Sequence, residues 1–384
     1  MSQVKESTGS KSASTAPTNR MKEVAEGIRR EDHRAAQGGD LTAPIGRGEN
    51  ALHVGIDLGT SRTSASASNG ARHTVLSWLG YCKDVIGQKR LGKSVLIGKE
   101  ALDNRLALDM VQPLKSGVID ASHPRAMEAV RELLGKVISL CEPKADQPVY
   151  AVVGAPARAS VESQKLLLDA LDPLVTSAMI VSEPFAVAYG MDVLTEALVI
   201  DIGAGTTDLC RMHGTLPSEE DQITLLAGGD AVDERLEQEI LKRYPKVQVT
   251  RNMVRQMKEK YGFVADPHQK CEVTLTEEGR PKKFDITDAL RAACQSIVPE
   301  IIDAIYRLIG SFDPEFQAKL RSNVILAGGG SRLSGLPLLL ENALTGLGGG
   351  TVMAVEEPMY AGSNGGLKMA MEMPARYWKA LAPA

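Results

Sequence analysis

The distribution of apolar and polar residues predicts strands that alternate with helices. Residues 52–58 and 197–202 are apolar runs, each interrupted by one acid, as expected of buried strands. Residues 124–140 instead carry apolar side chains at helical spacing, and residues 160–171 are also predicted to be helical, with Ser160 as the N-cap. A β-hairpin is predicted at 271–286, and a long helix at about 288–309. Strands that alternate with helices predict an α/β architecture.

Residues 1–50 lack this pattern. Ser, Thr, Lys, Gly and Glu dominate this stretch, and large apolar residues are scarce. A segment of this composition cannot bury enough apolar surface to offset the entropy of ordering. We therefore predict a disordered N-terminal tail at 1–50.

A glycine turn with polar neighbours follows the strand at 197–202. Its glycine and polar positions are Asp201, Gly203, Gly205, Thr206, Thr207 and Asp208. Glycines let a backbone approach an anion and point N–H groups at it, and the threonines add hydroxyl donors. The two acids would repel a phosphate directly, but they can hold a hydrated Mg²⁺ ion that neutralises it.

The first predicted strand ends in a similar turn. Its corresponding positions are Asp57, Gly59, Thr60, Ser61 and Thr63. The acids of the two turns are separated by 144 positions (201 minus 57). An echo at this distance predicts two halves of related build, each contributing one glycine hairpin to a shared site.

Two basic features near the first turn are weaker candidates for phosphate binding. For Arg62, a solvent-facing side chain is favoured over a phosphate contact. Residues 87–94 match the pattern GxxxxGK[ST], but the strand-like residues 95–97 follow where a phosphate-binding loop requires a helix. We interpret this stretch as a basic hairpin.

Composition excludes several classes of function. The net charge of −4 and the aromatic content of 4% argue against a nucleic-acid partner. Five cysteines form no CxxC pair, which is typical of a cytosolic protein with reduced thiols. No apolar run approaches the roughly 18 residues of a membrane span, so we expect no transmembrane segment.

Taken in order, the motifs resemble those of the actin-like ATPase superfamily over residues 52–372. The matching segments are 57–60 and 201–208 for phosphate, 327–331 for adenosine, and 181–190 and 360–370 as connecting segments. The resemblance implies an actin-like (ribonuclease-H-like) α/β fold with two lobes around a nucleotide cleft. Lobe I would span 51–198, with a small subdomain at about 71–115. Lobe II would span 199–384, with a small subdomain at about 230–290.

The resemblance also implies ATP and Mg²⁺ as cofactors, and roles for individual residues. Asp57 and Asp201 would hold Mg²⁺, with Asp201 also counted as catalytic, and Glu183 would orient or activate the water that attacks the γ-phosphate. The remaining implied nucleotide contacts are the two phosphate turns, Gly229, Lys258, Glu259, Gly328, Gly329 and Gly330. Two alternatives stay open: Glu183 as a helix-start acid favoured by the helix dipole, and Lys258 with Glu259 as an ordinary solvated helix face.

Within the superfamily, residues 80–87, 154–160 and 181–185 are most similar to the magnetosome branch of the bacterial filament-forming actins. That resemblance implies ATP hydrolysis coupled to head-to-tail self-assembly, in a cytoplasmic filament that aligns and positions magnetosomes. Magnetosome-associated proteins would be further partners. The alternatives are a cell-shape filament protein of the MreB type and a non-polymerising small-molecule kinase, although no insert for a kinase substrate is evident.

Overall fold

A computed structural model describes residues 50–265 and 270–374, together with 377, 378 and 381. Except for residue 50, the predicted tail lies outside the described residues. The strands are β1 (Leu52–Leu58), β2 (Arg62–Ala67), β3 (Arg72–Leu76), β4 (Leu79–Cys82), β5 (Val95–Ile97), β6 (Leu108–Val111), β7 (Leu114–Lys115), β8 (Val118–Ile119), β9 (Val149–Ala155), β10 (Ser177–Ser182), β11 (Thr195–Ile202), β12 (Thr207–His213), β13 (Gln222–Leu225), β14 (Val247–Gln248), β15 (Glu272–Glu277), β16 (Arg280–Asp285), β17 (Val324–Ala327) and β18 (Val352–Ala354).

Helices follow most of these strands and cover the sheets. They are α1 (Val85–Leu91), α2 (Lys99–Asp103), α3 (Ala126–Leu140), α4 (Val161–Leu171), α5 (Glu183–Gly190), α6 (Gly229–Arg243), α7 (Arg251–Tyr261), α8 (Thr287–Gln295), α9 (Val298–Gly310), α10 (Pro314–Arg321), α11 (Leu336–Leu344) and α12 (Ala361–Glu372). No helix among the described residues is both long enough and apolar enough to cross a bilayer.

Two five-stranded sheets share one topology. The first has the order β3-β2-β1-β9-β10 and the second β13-β12-β11-β17-β18. In each sheet the central strand pairs antiparallel with the strand that follows it and parallel with a strand from much later in the chain. The predicted similarity between the two halves therefore extends from the turns to the order of all five strands.

Helices α5 and α12 lie between the two sheets and join them. Both helices contact β1 or β9 of the first sheet, and α5 also contacts β11 and β12 of the second. Their apolar side chains share one buried cluster with residues of both sheets, such as Val152, Val199 and Ile325. Each sheet covers its other face with its own helices, so the molecule has two cores connected by a middle layer.

The last helix returns to the first sheet although it follows strands of the second. Glycines permit this close approach: a Cβ at Gly365 would lie 1.7 Å from the Ala186 carbonyl oxygen, and one at Gly55 2.0 Å from the Ser363 carbonyl oxygen. A division of the chain at residue 198 therefore assigns α12 to lobe II, whereas the helix packs on the sheet of lobe I.

A small three-stranded sheet lies in each of the two ranges expected for a subdomain. In lobe I its order is β5-β4-β6, and in lobe II it is β14-β15-β16. The predicted hairpin at 271–286 is confirmed as β15 and β16.

Two local predictions were wrong. Residues 87–94 are not a hairpin, because 85–91 form helix α1, which the Asp84 side chain caps and Gly92 ends in the left-handed conformation. The long helix predicted at about 288–309 is two helices, α8 and α9, separated by Ser296 and Ile297. Pro299, which has no N–H to donate, lies at the start of the second helix, where none is needed.

Candidate functional site

A cavity of about 630 Å³ opens between the two lobes, and the turns of both glycine hairpins line it. This volume is within the range of about 300–1,000 Å³ that is usual for small-molecule sites. The predicted site residues found in its lining are Asp57, Gly59, Thr60, Ser61, Glu183, Asp201, Gly203, Gly205, Thr206, Gly229, Lys258, Glu259, Gly328, Gly329 and Gly330. The structure therefore brings these residues to one place, whereas Thr63, Thr207 and Asp208 of the two turns do not line the cavity.

The two hairpin turns have the same backbone hydrogen bond. The Gly59 N–H donates to the Arg62 carbonyl at 3.1 Å, and the Gly203 N–H donates to the Thr206 carbonyl at 2.9 Å. These donors and acceptors are related by the same offset of 144 positions as the two acids. The backbone of the turn is thus repeated in the two lobes.

The turns approach each other at one end of the cavity. A Cβ at Gly205 would lie 2.6 Å from Thr60 Oγ1 and 2.8 Å from Ser116 Cα, so no larger residue fits there without displacing lobe I. Thr60 Oγ1 is itself fixed by the Gly117 N–H, which donates to it at 2.8 Å. The neighbouring Ser61 hydroxyl is buried and has no hydrogen-bond partner in the part of the chain that the structure describes. It is a donor available to a bound ligand.

Thr207 does not face the cavity, which corrects its predicted role. Its hydroxyl donates to the Ala227 carbonyl at 2.5 Å, and its side chain is fully buried. Side chains alternate across a strand, so Thr206 and Asp208 share one side of β12 while Thr207 points to the other. Thr207 stabilises the sheet and offers nothing to a ligand.

Glu183 and Asp57 lie at the same edge of the first sheet, with Gly154 of β9 between them. Glu183 is the first residue of α5, and its Cγ lies 3.3 Å from the position that a Cβ on Gly154 would occupy. Gly154 pairs with Asp57 across β1 and β9, and Gly362 at the start of α12 approaches the Asp57 carboxylate on another side. Both connecting segments therefore converge on these two acids.

Burial and mutual repulsion make the acids of this cluster weak. Burial raises the pKa of Asp57 to about 6. Burial raises the pKa of Glu183 well above its usual value, and the charges of Asp57, Asp208 and Asp201 raise it further. The pKa of Asp201 is raised by burial and by the charges of Asp57 and Asp208. Carboxylates crowded in this way gain from a cation placed between them.

The cluster fits a hydrated Mg²⁺ ion better than one held by protein ligands alone. No three acidic, histidine or cysteine side chains within the described ranges converge closely enough to form a metal site by themselves. Mg²⁺ commonly takes only one or two carboxylates and completes its shell with water and phosphate oxygens. Asp57 and Asp201, one from each hairpin, are suited to that arrangement.

Asp208 contacts lobe I directly. Its Oδ1 accepts the Ala157 N–H at 2.8 Å, from the loop that follows β9, and the Thr224 hydroxyl at 2.6 Å. Its Oδ2 is buried and has no partner among the residues described. Burial raises the pKa of Asp208, and the hydrogen bonds oppose that rise. The predicted acid of the second hairpin thus ties the two lobes together beneath the cavity.

The adenosine motif packs on the end of β11. Gly328 has a φ of 71°, and a Cβ there would lie 2.3 Å from Asp201 Oδ1, while one at Gly330 would lie 2.2 Å from Ile202 Cγ2. A Cβ at Gly329 would meet nothing within 4 Å. Gly328 and Gly330 are therefore required by contact with β11, and of these three glycines Gly329 alone has open space beside its backbone.

Lys258 is held in place instead of lying on a solvated helix face. Its Nζ donates to the Gly229 carbonyl at 2.6 Å and pairs with the buried Asp233 at 2.7 Å. Arg255 reaches the same carboxylate, at 3.6 Å. Sequence reasoning missed Asp233, because nothing local distinguishes it from the exposed acids of α6.

Arg62 was predicted to face solvent, but its side chain does not extend freely into it. It lines the cavity and pairs with Glu259 of α7, on the other lobe, at 2.8 Å. Gly117 is a second lining residue that the sequence did not reveal, since its approach to Thr60 depends on tertiary structure. The alternation of β2 could have indicated Arg62, because it shares a side of the strand with Ser64, which also lines the cavity.

Comparison with known proteins places these features in context. Residues 51–376 match the family model described as MreB/Mbl protein. The actin-like protein MamK of Paramagnetospirillum magneticum is 41% identical over 336 residues, which cover 88% of this chain and 97% of that protein.

Solved structures agree. One described as a MamK double helical filament superposes with a TM-score of 0.83 at 41% identity, covering 85% of this chain and 100% of that one. A non-polymerising MamK mutant bound to AMPPNP gives a TM-score of 0.66 at 41% identity, covering 84% and 99%. The predicted actin-like fold with two lobes is confirmed.

Proposed function

Because this chain belongs to the MreB/Mbl family of actin-like proteins, we propose that it binds and hydrolyses Mg²⁺-ATP and assembles head to tail into cytoskeletal filaments. The observation that carries the proposal is that the two duplicated glycine hairpins line one cavity. A triphosphate held from both sides would draw the lobes together. The AMPPNP bound by a related MamK mutant supports a nucleotide as the ligand.

The chain's own residues supply the binding groups. The backbone of both turns, with the Thr60 and Ser61 hydroxyls, holds the phosphates, and Asp57 and Asp201 hold the hydrated metal. Mg²⁺, when bound, neutralises charge on the phosphate oxygens. The Gly329 backbone lies under the base, and Lys258 with Glu259 meets the ribose side. Positioning and electrostatics of this kind account for most of phosphoryl transfer.

Glu183 is proposed to act on the attacking water. The water oxygen forms a bond to the γ-phosphorus while the bond to the oxygen of ADP breaks, and the proton of the water passes to Glu183. Burial and neighbouring acids raise the pKa of Glu183 well above its usual value, which makes its carboxylate a stronger base. Its position over Gly154 in the lining of the cavity, which Asp57 also lines, supports this role.

Filament assembly follows from closure of the cleft. Contacts between different faces of successive subunits do not close into a ring unless the rotation allows it, so they build open filaments. The related MamK double helical filament supports this mode of assembly. We propose that the filament aligns and positions magnetosomes in the cytoplasm, with magnetosome-associated proteins as partners. The cell-shape alternative is not favoured, because the relatives at 41% identity are MamK proteins.

Replacing Glu183 by Gln tests the proposal. We expect phosphate release to fall by roughly 10²–10⁴-fold, the range for loss of a general base. ATP-dependent pelleting should persist, and filaments should last longer. Glu278→Gln, on the exposed β15–β16 turn, is the matched control and should behave like the parent. Unchanged ATP turnover in the Glu183 variant would remove its role, and metabolite-dependent turnover without pelleting would instead indicate a kinase.

A further inference from the structure

One ion pair crosses the mouth of the cavity from lobe to lobe. Arg62 Nη2 lies 2.9 Å from one carboxylate oxygen of Glu259 and 2.8 Å from the other. Arg62 begins β2 in the sheet of lobe I, and Glu259 lies on α7 of lobe II, 197 residues away in sequence. Both residues line the cavity. The pair therefore joins the two walls of the site through their side chains.

The direction of each side chain follows from its element. Arg62 and Ser64 share one side of β2 and both line the cavity, while Thr63 points to the other side and bonds Ser77 at 3.0 Å. Glu259 follows Lys258, which is anchored to the Gly229 carbonyl. Since that anchor and the ion pair with Asp233 fix α7 against the start of α6, the Glu259 carboxylate is held at the edge of the cavity.

The pair lies where the cavity meets solvent. The side chains of Arg62 and Glu259 are 31% and 38% exposed. The contact between the lobes beneath the cavity, from the Ala157 N–H to Asp208, involves a fully buried carboxylate. Separating this partly exposed pair costs little free energy, because water solvates both charges as they part. Breaking the Asp208 contact costs more, because it leaves a buried carboxylate without a hydrogen bond. The contact at the mouth is thus the one suited to repeated opening.

We propose that Arg62 and Glu259 form a clasp that closes the cavity mouth over a bound nucleotide and slows its release. The clasp rests on the proposed function, because it acts on the nucleotide assigned there. It belongs to one hairpin only: the position equivalent to Arg62 in the second hairpin is Thr206, which is too short and carries no charge. Arg62 is thereby a retention residue of the site and acts through Glu259.

Release of a fluorescent ATP analogue, followed by stopped flow after mixing with excess ATP, tests the clasp. For Arg62→Gln we expect dissociation about threefold to fivefold faster, the effect expected from an exposed ion pair. High salt should speed release from the parent protein and have little effect on the variant, because salt screens the pair. Arg72→Gln is the matched control: it breaks a 2.8 Å pair with Glu357 that does not line the cavity, and release should be unchanged.

A charge exchange separates the clasp from other effects of these residues. Arg62→Glu alone should speed release more than Arg62→Gln, and adding Glu259→Arg should restore slower release. Because Glu259 also has a predicted contact to the ribose, the coupling between the two changes is the informative quantity. Melting temperatures of all variants establish that they are folded.

The outcomes distinguish the clasp from the proposal on which it rests. Nucleotide binding by the parent with unchanged release from Arg62→Gln, or additive effects in the charge exchange, would overturn the clasp alone. Absence of nucleotide binding by the parent chain would overturn the proposed function and the clasp with it.

Discussion

The two glycine hairpins have the same backbone and different chemistry. Both follow the central strand of a five-stranded sheet of the same order, and both close their turn with one N–H to carbonyl bond. The first carries Thr60, Ser61 and Arg62 where the second carries Ala204, Gly205 and Thr206. At the positions that pair with Asp57 and Asp201 across the hairpins, the first carries Ser64, which lines the cavity, and the second carries Asp208, which lies beneath it.

This difference assigns separate tasks to equivalent positions. The first hairpin offers two hydroxyls and a cation to the cavity, from Thr60, Ser61 and Arg62. The second offers one hydroxyl, from Thr206, with more bare backbone, and it carries the additional acid Asp208. The turns meet where Gly205 approaches Thr60, and a side chain at both positions would leave no room for the contact. The same backbone is thus repeated on two sides of one site, and the different side chains allow the two sides to fit together.

Exchanging equivalent residues breaks this complementarity, and Gly205→Ser should have the largest effect. It gives the second turn the residue found at the equivalent position of the first, Ser61. The new Cβ would lie 2.6 Å from Thr60 Oγ1, so the lobes must move apart. We expect nucleotide affinity to fall about 100-fold, because overpacking costs up to about 3 kcal/mol. Isothermal titration with AMPPNP measures it, and affinity within twofold of the parent would contradict the fit of the two turns.

Replacing the acid of either hairpin should have an effect of intermediate size. In metal-free protein, Asp57→Asn and Asp201→Asn should each raise the melting temperature at pH 7.5 by roughly 2–4 °C. A carboxyl whose pKa is raised by folding stabilises the protein fully below its unfolded pKa and loses that contribution as pH rises through its folded pKa. For Asp57 this window runs from about 4 to about 6. The gain should therefore vanish near pH 4.

Asp201→Asn should give a gain of the same sign, because burial and the charges of Asp57 and Asp208 raise the pKa of Asp201. Thermal melts from pH 4 to pH 8 without divalent ions measure both variants. With Mg²⁺ and AMPPNP present, the order of melting temperatures should reverse, so that the parent is more stable than either variant. Variants less stable than the parent at pH 7.5 without metal would refute the repulsion within the cluster.

The smallest effect is expected for the reciprocal exchange, Ser61→Gly. It gives the first turn the residue of the second and removes one hydroxyl that has no partner in the described structure. Loss of one hydrogen bond to a phosphate should weaken AMPPNP binding by about twofold to tenfold. The same titration used for Gly205→Ser measures it. A loss as large as that of Gly205→Ser would show that the two turns contribute alike.

The sequence predicted the parts of the fold and site that depend on local pattern. The hairpins, their offset and the cavity residues could be read from apolar strands followed by glycine, acid and hydroxyl at repeated spacing. Ser160 was predicted to cap a helix and does so, because a cap needs only the adjacent residues.

What depends on contacts distant in sequence could not be read. The return of α12 to lobe I requires glycines to meet on elements about 180 to 310 residues apart. The pairing of Arg62 with Glu259 is equally remote. The direction of Thr207 is different: strict alternation along β12 determines it, and counting hydroxyls without assigning faces of the strand led to the wrong prediction.

The central claim is that both hairpins grip one nucleotide, and a structure of the chain with AMPPNP and Mg²⁺ tests it most directly. We predict one nucleotide per chain, with its phosphate oxygens within hydrogen-bond distance of backbone N–H groups from both 59–62 and 203–206. A nucleotide whose phosphates touch only one of these turns, or that lies outside the cavity between the lobes, would contradict the account.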